Sequence, residues 1–132
     1  MTQTAQPIAG ARPVADDDRA RAYDGRWLLV DPGNAWLDAD RAPGLAELDL
    51  SLRFGYLVVR APGMLRLDIP LDVIEDDASV ECQALVDGQA VRAVDEGDLA
   101  AAWFTQWLGQ PCRLLKVHPE APAVQWPGAA RR

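Results

Sequence analysis

Few residues in this 132-residue chain are of a type that does chemistry, and their spacing works against most of it. His118 is the only histidine, which excludes zinc sites with several His ligands and leaves a His-based triad without support. It lies at the edge of a C-terminal tail and reads as an exposed side chain. Cys82 and Cys112 are the only cysteines; with no C-x-x-C they make a poor metal site. Cys112 follows a helix C-terminus, where the dipole disfavours a thiolate. The acidic runs Asp16-Asp17-Asp18 and Glu75-Asp76-Asp77 could supply an acid/base pair but read as solvated loop charges. Neither G-x-G-x-x-G nor G-x-x-x-x-G-K-[ST] occurs, so no phosphate loop is present. Trp103 and Trp107, one helical turn apart, could line a ligand cage; they fit better as core anchors. No catalytic, cofactor-binding or metal residue is assigned on these grounds, and the chain reads as not an enzyme.

Composition narrows the partners. Thirteen Lys and Arg against twenty Asp and Glu give a net charge of −7. No basic stripe exists to release counterions from nucleic acid, and an anionic membrane is disfavoured for the same reason. No apolar run is long enough to span a bilayer. The first residues, Met-Thr-Gln-Thr-Ala-Gln-Pro, lack the parts of a signal peptide. Both cysteines therefore read as reduced core residues of a cytoplasmic protein, a disulfide being the lesser alternative. A single domain of this size can bury roughly two thirds of its unfolded surface.

The elements that would position any site are mostly strands. Residues 1–22 are poor in large apolar side chains and read as a loosely ordered arm. Trp27–Val30 is an apolar run closed by the turn Asp31-Pro32-Gly33-Asn34. Ala46, Leu48, Leu50 and Leu52 alternate with Glu47, Asp49, Ser51 and Arg53, as in a half-buried strand, and Tyr56–Arg60 is its hairpin partner. Leu65, Leu67 and Ile69 alternate up to Pro70. Val80, Cys82, Ala84 and Val86 do the same before Asp87-Gly88, a two-residue type I′ turn, and a return strand over 90–94. One helix is predicted at 98–108: Asp98 begins it, Gly109 and Pro111 end it, and Leu99, Trp103 and Trp107 form a ladder beside Ala100, Phe104 and Leu108. Cys112–Val117 is a last strand, and residues 119–132 a flexible tail. The expectation is a mainly β domain over 23–118, either a small barrel or two curled mixed sheets, with about seven short strands and one helix.

The segment AVDEGDLAAAWFTQWLGQPCRLLKV resembles the end of the N-terminal β-barrel domain of MOSC proteins, a family that includes molybdenum-cofactor sulfurases and amidoxime-reducing enzymes. The matching residues are Ala93, Asp95, Gly97, Asp98, Trp103, Leu108, Gly109, Pro111, Arg113 and Leu114. RAPGMLRLDIPL and YDGRWLLVD are similar to two further family motifs, so the resemblance covers about residues 22–117. It implies the barrel fold. It also implies a relation to the molybdenum cofactor, whose metal is ligated by a cysteine of a separate MOSC domain that has no counterpart in these residues. In amidoxime-reducing members the barrel holds the cofactor phosphate through P-[IV]-K-S, D-R-x-W and T-A-R-Q-x-P stretches. Here Ala9 and Gly10 stand for the Lys and Ser, Gly25 for one Arg, and Asp40 for the other. Charge-assisted contacts to a phosphate are worth roughly 1.5–3 kcal/mol each, so these replacements remove the grip. Arg26 and Arg41 lie one position along and rescue it only through a register shift. The resemblance thus implies a non-catalytic binding or partner-docking barrel without cofactor, its partner a MOSC-domain protein. The alternative is one subunit of a split molybdenum-cofactor enzyme completed by that protein.

Overall fold

Two turn dipeptides with positive φ set the register of the larger strands. The computed structural model describes residues 4–15, 18–72, 81–122, 124 and 126. Asp87 and Gly88 have φ of 50° and 83°, the pair a type I′ turn requires, and they join Glu81–Val86 to Gln89–Asp95 with Val86 opposite Gln89. Phe54 and Gly55, at 51° and 83°, do the same between Asp49–Arg53 and Tyr56–Arg60.

In chain order the strands are β1 (Thr4–Ala5), β2 (Val14–Ala15), β3 (Trp27–Val30), β4 (Asp49–Arg53), β5 (Tyr56–Arg60), β6 (Leu67–Pro70), β7 (Glu81–Val86), β8 (Gln89–Asp95) and β9 (Arg113–Val117), with helix α1 (Asp98–Leu108) between β8 and β9. Seven of them form two antiparallel sheets, ordered β3-β9-β8-β7 and β4-β5-β6; β1 and β2 pair separately. Parallel contacts occur as isolated bridges, Ile8 with Trp27 and Ala35 with Leu85.

The second of these bridges helps curl the four-stranded sheet into a barrel. The Asp31 turn, whose carboxylate accepts from the amides of Gly33 and Ala35, sends the chain back as a strap. Leu37 N–H donates to Leu29 of β3, while Trp36 N–H donates to Leu85 of β7. One short strap thus hydrogen-bonds to both outer strands of the sheet.

Strands β3 and β9 are buried on both faces, whereas β7 and β8 bury one. Leu28, Val30, Leu115 and Val117 point into the curl, against Ala84, Val86, Val91, Ala93 and Trp36. Trp27, Leu29 and Leu114 point the other way, into a larger core with the three-stranded sheet and Trp103 and Phe104 of α1. This explains the unbroken apolar run Trp27–Val30, all four residues being buried.

Several expectations are corrected. The strand predicted from Ala46 starts at Asp49, because Pro43 opens a 3-10 turn over Pro43–Glu47 that leaves Ala46 exposed. Leu65, expected to point inward, is 87% exposed, since β6 begins only at Leu67. The helix has the predicted bounds, but Leu99 is 78% exposed; its buried stripe is Ala100, Ala101, Trp103 and Phe104. Residues placed in a loose N-terminal arm supply Ala5, Ile8, Ala11, Val14 and Ala20 to the core. Their backbone explains this: residues 6–9 run beside β3, with Gly25 N–H bonded to Gln6, Trp27 N–H to Pro7 and Ala9 N–H to Trp27. Small side chains suffice where an edge segment is held by its backbone.

Candidate functional site

The positions that the resemblance assigns to a phosphate grip lie close together at one end of the curled sheet. Ala9 is buried, and its carbonyl accepts the Trp36 indole N–H at 3.3 Å. Gly10 lies against Trp36, Asp38 and Ala39, immediately before Asp40. Gly25 lies under Trp126, whose ring is centred 5.1 Å from that of Trp36. What converges there is a methyl group, two glycine backbones, two indoles and, beside them, carboxylates.

The nearby guanidinium groups have other partners. Arg41 donates to Asp31 at 2.7 Å and to the Trp36 carbonyl at 3.1 Å. That ion pair, with the amides of Ala35 and Gly33, holds the Asp31 carboxyl below its ordinary range. Arg26 stacks over the Tyr23 ring at 5.8 Å. A groove of about 400 Å³ beside Arg41 is lined by Trp36, Asp38, Leu85 and Asp87, so carboxylates face the one cation. These residues do not fit a phosphate dianion, which needs fixed cations or converging N–H donors.

The signature residues near α1 form an ion cluster. Arg113 donates through Nε and Nη2 to Asp95 and through Nη2 to Asp98, while Gly97 N–H caps Asp95 Oδ1 at 2.8 Å. The two carboxylates raise the Arg113 pKa. The pattern D-x-G-D followed by Arg thus ties the start of α1 to the start of β9, a structural role.

Sequence reasoning missed a buried polar group at the junction of the two sheets. Lys116 is 1% exposed, with Nζ donating to the carbonyls of Pro70 and Leu71 at 3.1 and 2.7 Å and lying 5.2 Å from the centre of the Trp27 ring. Trp27 Nε1 donates to Glu96 at 2.7 Å. Burial lowers the Lys116 pKa and raises that of Glu96, in each case against their mutual attraction. The signal was the register of β9, where Lys116 shares a face with Leu114. Lys116 closes the carbonyl end of β6.

The remaining candidates are dispersed. His118, expected to be exposed, is 7% exposed. Its backbone continues the β9 pairing to Arg92, and its Nδ1 accepts from Glu120 N–H at 3.1 Å. Cys82 and Cys112 are free thiols, half-buried and buried, with pKa values raised by burial. Trp103 and Trp107 are core anchors: their indoles donate to the carbonyls of Leu65 and Gly44. Asp16, Asp17 and Glu75–Asp77 lie outside the described residues. Among the described residues no group of three His, Cys, Asp or Glu could hold a metal, and no helix is long and apolar enough to cross a membrane.

A mainly β barrel with one packing helix between its last two strands is the class this architecture defines. Residues 9–111 match the MOSC N-terminal beta barrel domain, and the chain belongs to that family. It is 31% identical over 101 residues to the molybdenum cofactor sulfurase of Danio rerio, covering 74% of this chain and 12% of that protein. It is 28% identical over 88 residues to mitochondrial amidoxime reducing component 2 of Rattus norvegicus, covering 67% of this chain and 25% of that one. The chain therefore spans an eighth to a quarter of the length of these relatives. A solution structure of a Bordetella bronchiseptica protein is 54% identical, with a TM-score of 0.79 over 96% of both chains.

Proposed function

We propose that this chain is a non-catalytic barrel that serves as a binding or partner-docking module and does not hold the molybdenum cofactor itself. One observation carries the reading: the positions from which amidoxime-reducing relatives would grip a phosphate bear Ala9, Gly10, Gly25 and Asp40, and Arg41 beside them is committed to Asp31. A dianion placed there would meet carboxylates and indoles. The setting is cytoplasmic, consistent with two unpaired thiols. The partner is a MOSC-domain protein. Equilibrium dialysis of the purified chain against isolated molybdenum cofactor tests the reading: no saturable retention is expected, and retention near one equivalent overturns it.

A second reading makes the chain one subunit of a split molybdenum-cofactor enzyme. It is favoured by the relatives that the barrel matches, which are named as a molybdenum cofactor sulfurase and an amidoxime reducing component. Mixing the chain with a purified MOSC-domain protein separates the two. Cofactor retained by the pair but by neither component alone supports the split enzyme; a complex that leaves cofactor content unchanged supports docking.

A further inference from the structure

The end of the curled sheet has an occupant, and its seat is shaped for it. A Cβ added to Gly25 would stand 2.6 Å from Trp126 Nε1 and 3.3 Å from Cε2, closer than any side-chain-bearing residue tolerates. Gly25 also has φ of +67°, so both its backbone and its lack of a side chain suit that place. On the other side, the Trp36 ring meets Trp126 at 59° with centres 5.1 Å apart, a tilted aromatic pair of favourable geometry. Ala121 and Val124 pack with Trp126 against the apolar cluster inside the curl. The approach is fixed as well. After β9, Ala121 N–H donates to the His118 carbonyl at 2.9 Å and Glu120 N–H to His118 Nδ1 at 3.1 Å, which turns the chain back over the opening. Pro119 and Pro122 bracket this turn and reduce the freedom the segment gives up on docking.

We propose that the open end of the four-stranded sheet is a docking seat for an aromatic side chain on a proline-containing segment, and that its occupant is this chain's own Pro119–Pro122, Val124 and Trp126, with Trp126 as the anchor. The inference goes beyond the reading above: it says what fills the end of the barrel, and it stands whether or not a MOSC-domain protein binds elsewhere. The segment covers Trp36 and Gly25, so the seat is closed from within the same chain.

Amide hydrogen exchange on the 132-residue chain tests this. Trp126→Ala is expected to speed exchange of the Glu120 and Ala121 amides by at least about tenfold while the β5 amides are unchanged, since a docked segment opens locally rather than globally. A synthetic peptide of residues 119–132, added to the Trp126→Ala chain, is expected to bind saturably, and the same peptide with the Trp126→Ala change is not. Gly25→Ala should reproduce the local acceleration in the wild-type background and add clearly less in the Trp126→Ala background, where the strain of a positive φ remains but its methyl group has nothing to strike. Unchanged exchange at Glu120 and Ala121 in both single variants overturns the seat. So does Gly25→Ala destabilising both backgrounds alike, which would assign Gly25 to backbone conformation alone. Protection that falls on dilution overturns the same-chain occupant in favour of a second copy.

Discussion

Trp103 donates its indole N–H to the carbonyl of Leu65 at 2.6 Å, tying α1 to the segment that leads into β6. The ring also meets Phe104 edge-on, with centres 5.0 Å apart, in the core shared by the helix and the three-stranded sheet. The fingerprint tryptophan is therefore a clamp between layers.

Replacing it should cost stability in two separable parts. Trp103→Ala is expected to destabilise by ~3–5 kcal/mol through the cavity it leaves. Trp103→Phe keeps most of the apolar contact and should cost roughly 1–2 kcal/mol, the share of the lost hydrogen bond and reduced volume. Urea denaturation of the two variants checks the order.

Glu96 and Lys116 should give pH slopes of opposite sign. Burial raises the Glu96 pKa above its ordinary 4.5, so the folded state holds a proton that the unfolded state has released. Stability is then greatest below 4.5 and falls as pH rises through the raised folded value. Glu96→Gln should remove that fall while still accepting the Trp27 N–H.

Burial lowers the Lys116 pKa below 10.5. Between the lowered value and 10.5 the unfolded state binds more protons, so stability rises with pH across that window. Lys116→Met should flatten the rise and fill the space, whereas Lys116→Ala should cost ~2–5 kcal/mol. Melts across the alkaline range distinguish them.

The ion cluster around Arg113 should respond unequally. Asp95 is 22% exposed and also accepts from Gly97 N–H, whereas Asp98 is 96% exposed. Asp95→Ala is expected to cost about 1–2 kcal/mol, and Asp98→Ala to leave the melting temperature unchanged, because a solvated ion pair contributes little.

Neither thiol should behave as a nucleophile. Burial raises both pKa values, so alkylation at neutral pH should be slower than for a free thiol, with half-buried Cys82 labelled before buried Cys112. Timed mass spectrometry reads the order; rapid labelling of Cys112 would contradict its place in the core.

What was legible in the chain was local. Asp87-Gly88 announced its turn because only a left-handed pair fits there, and 98–108 announced its helix because apolar period and end signals agree. The 3-10 turn at Pro43–Glu47 was hidden because its alternation mimics a strand. Burial of His118 and Lys116 depends on which strands flank β9, and period alone does not give that order. The arm and the tail were misjudged for one reason: composition counts apolar side chains, whereas residues 6–9 are held by backbone pairing and Trp126 packs on Gly25, Trp36 and the apolar cluster inside the curl. The site positions were legible as replacements; that they converge on two tryptophans was not.

The proposed function rests on a barrel that has kept the family fold without the means to hold the cofactor. Molybdenum and pterin content of the chain purified from its native cells tests it most directly. Neither is expected to co-purify with the isolated chain; molybdenum and pterin at one equivalent each would contradict the proposal.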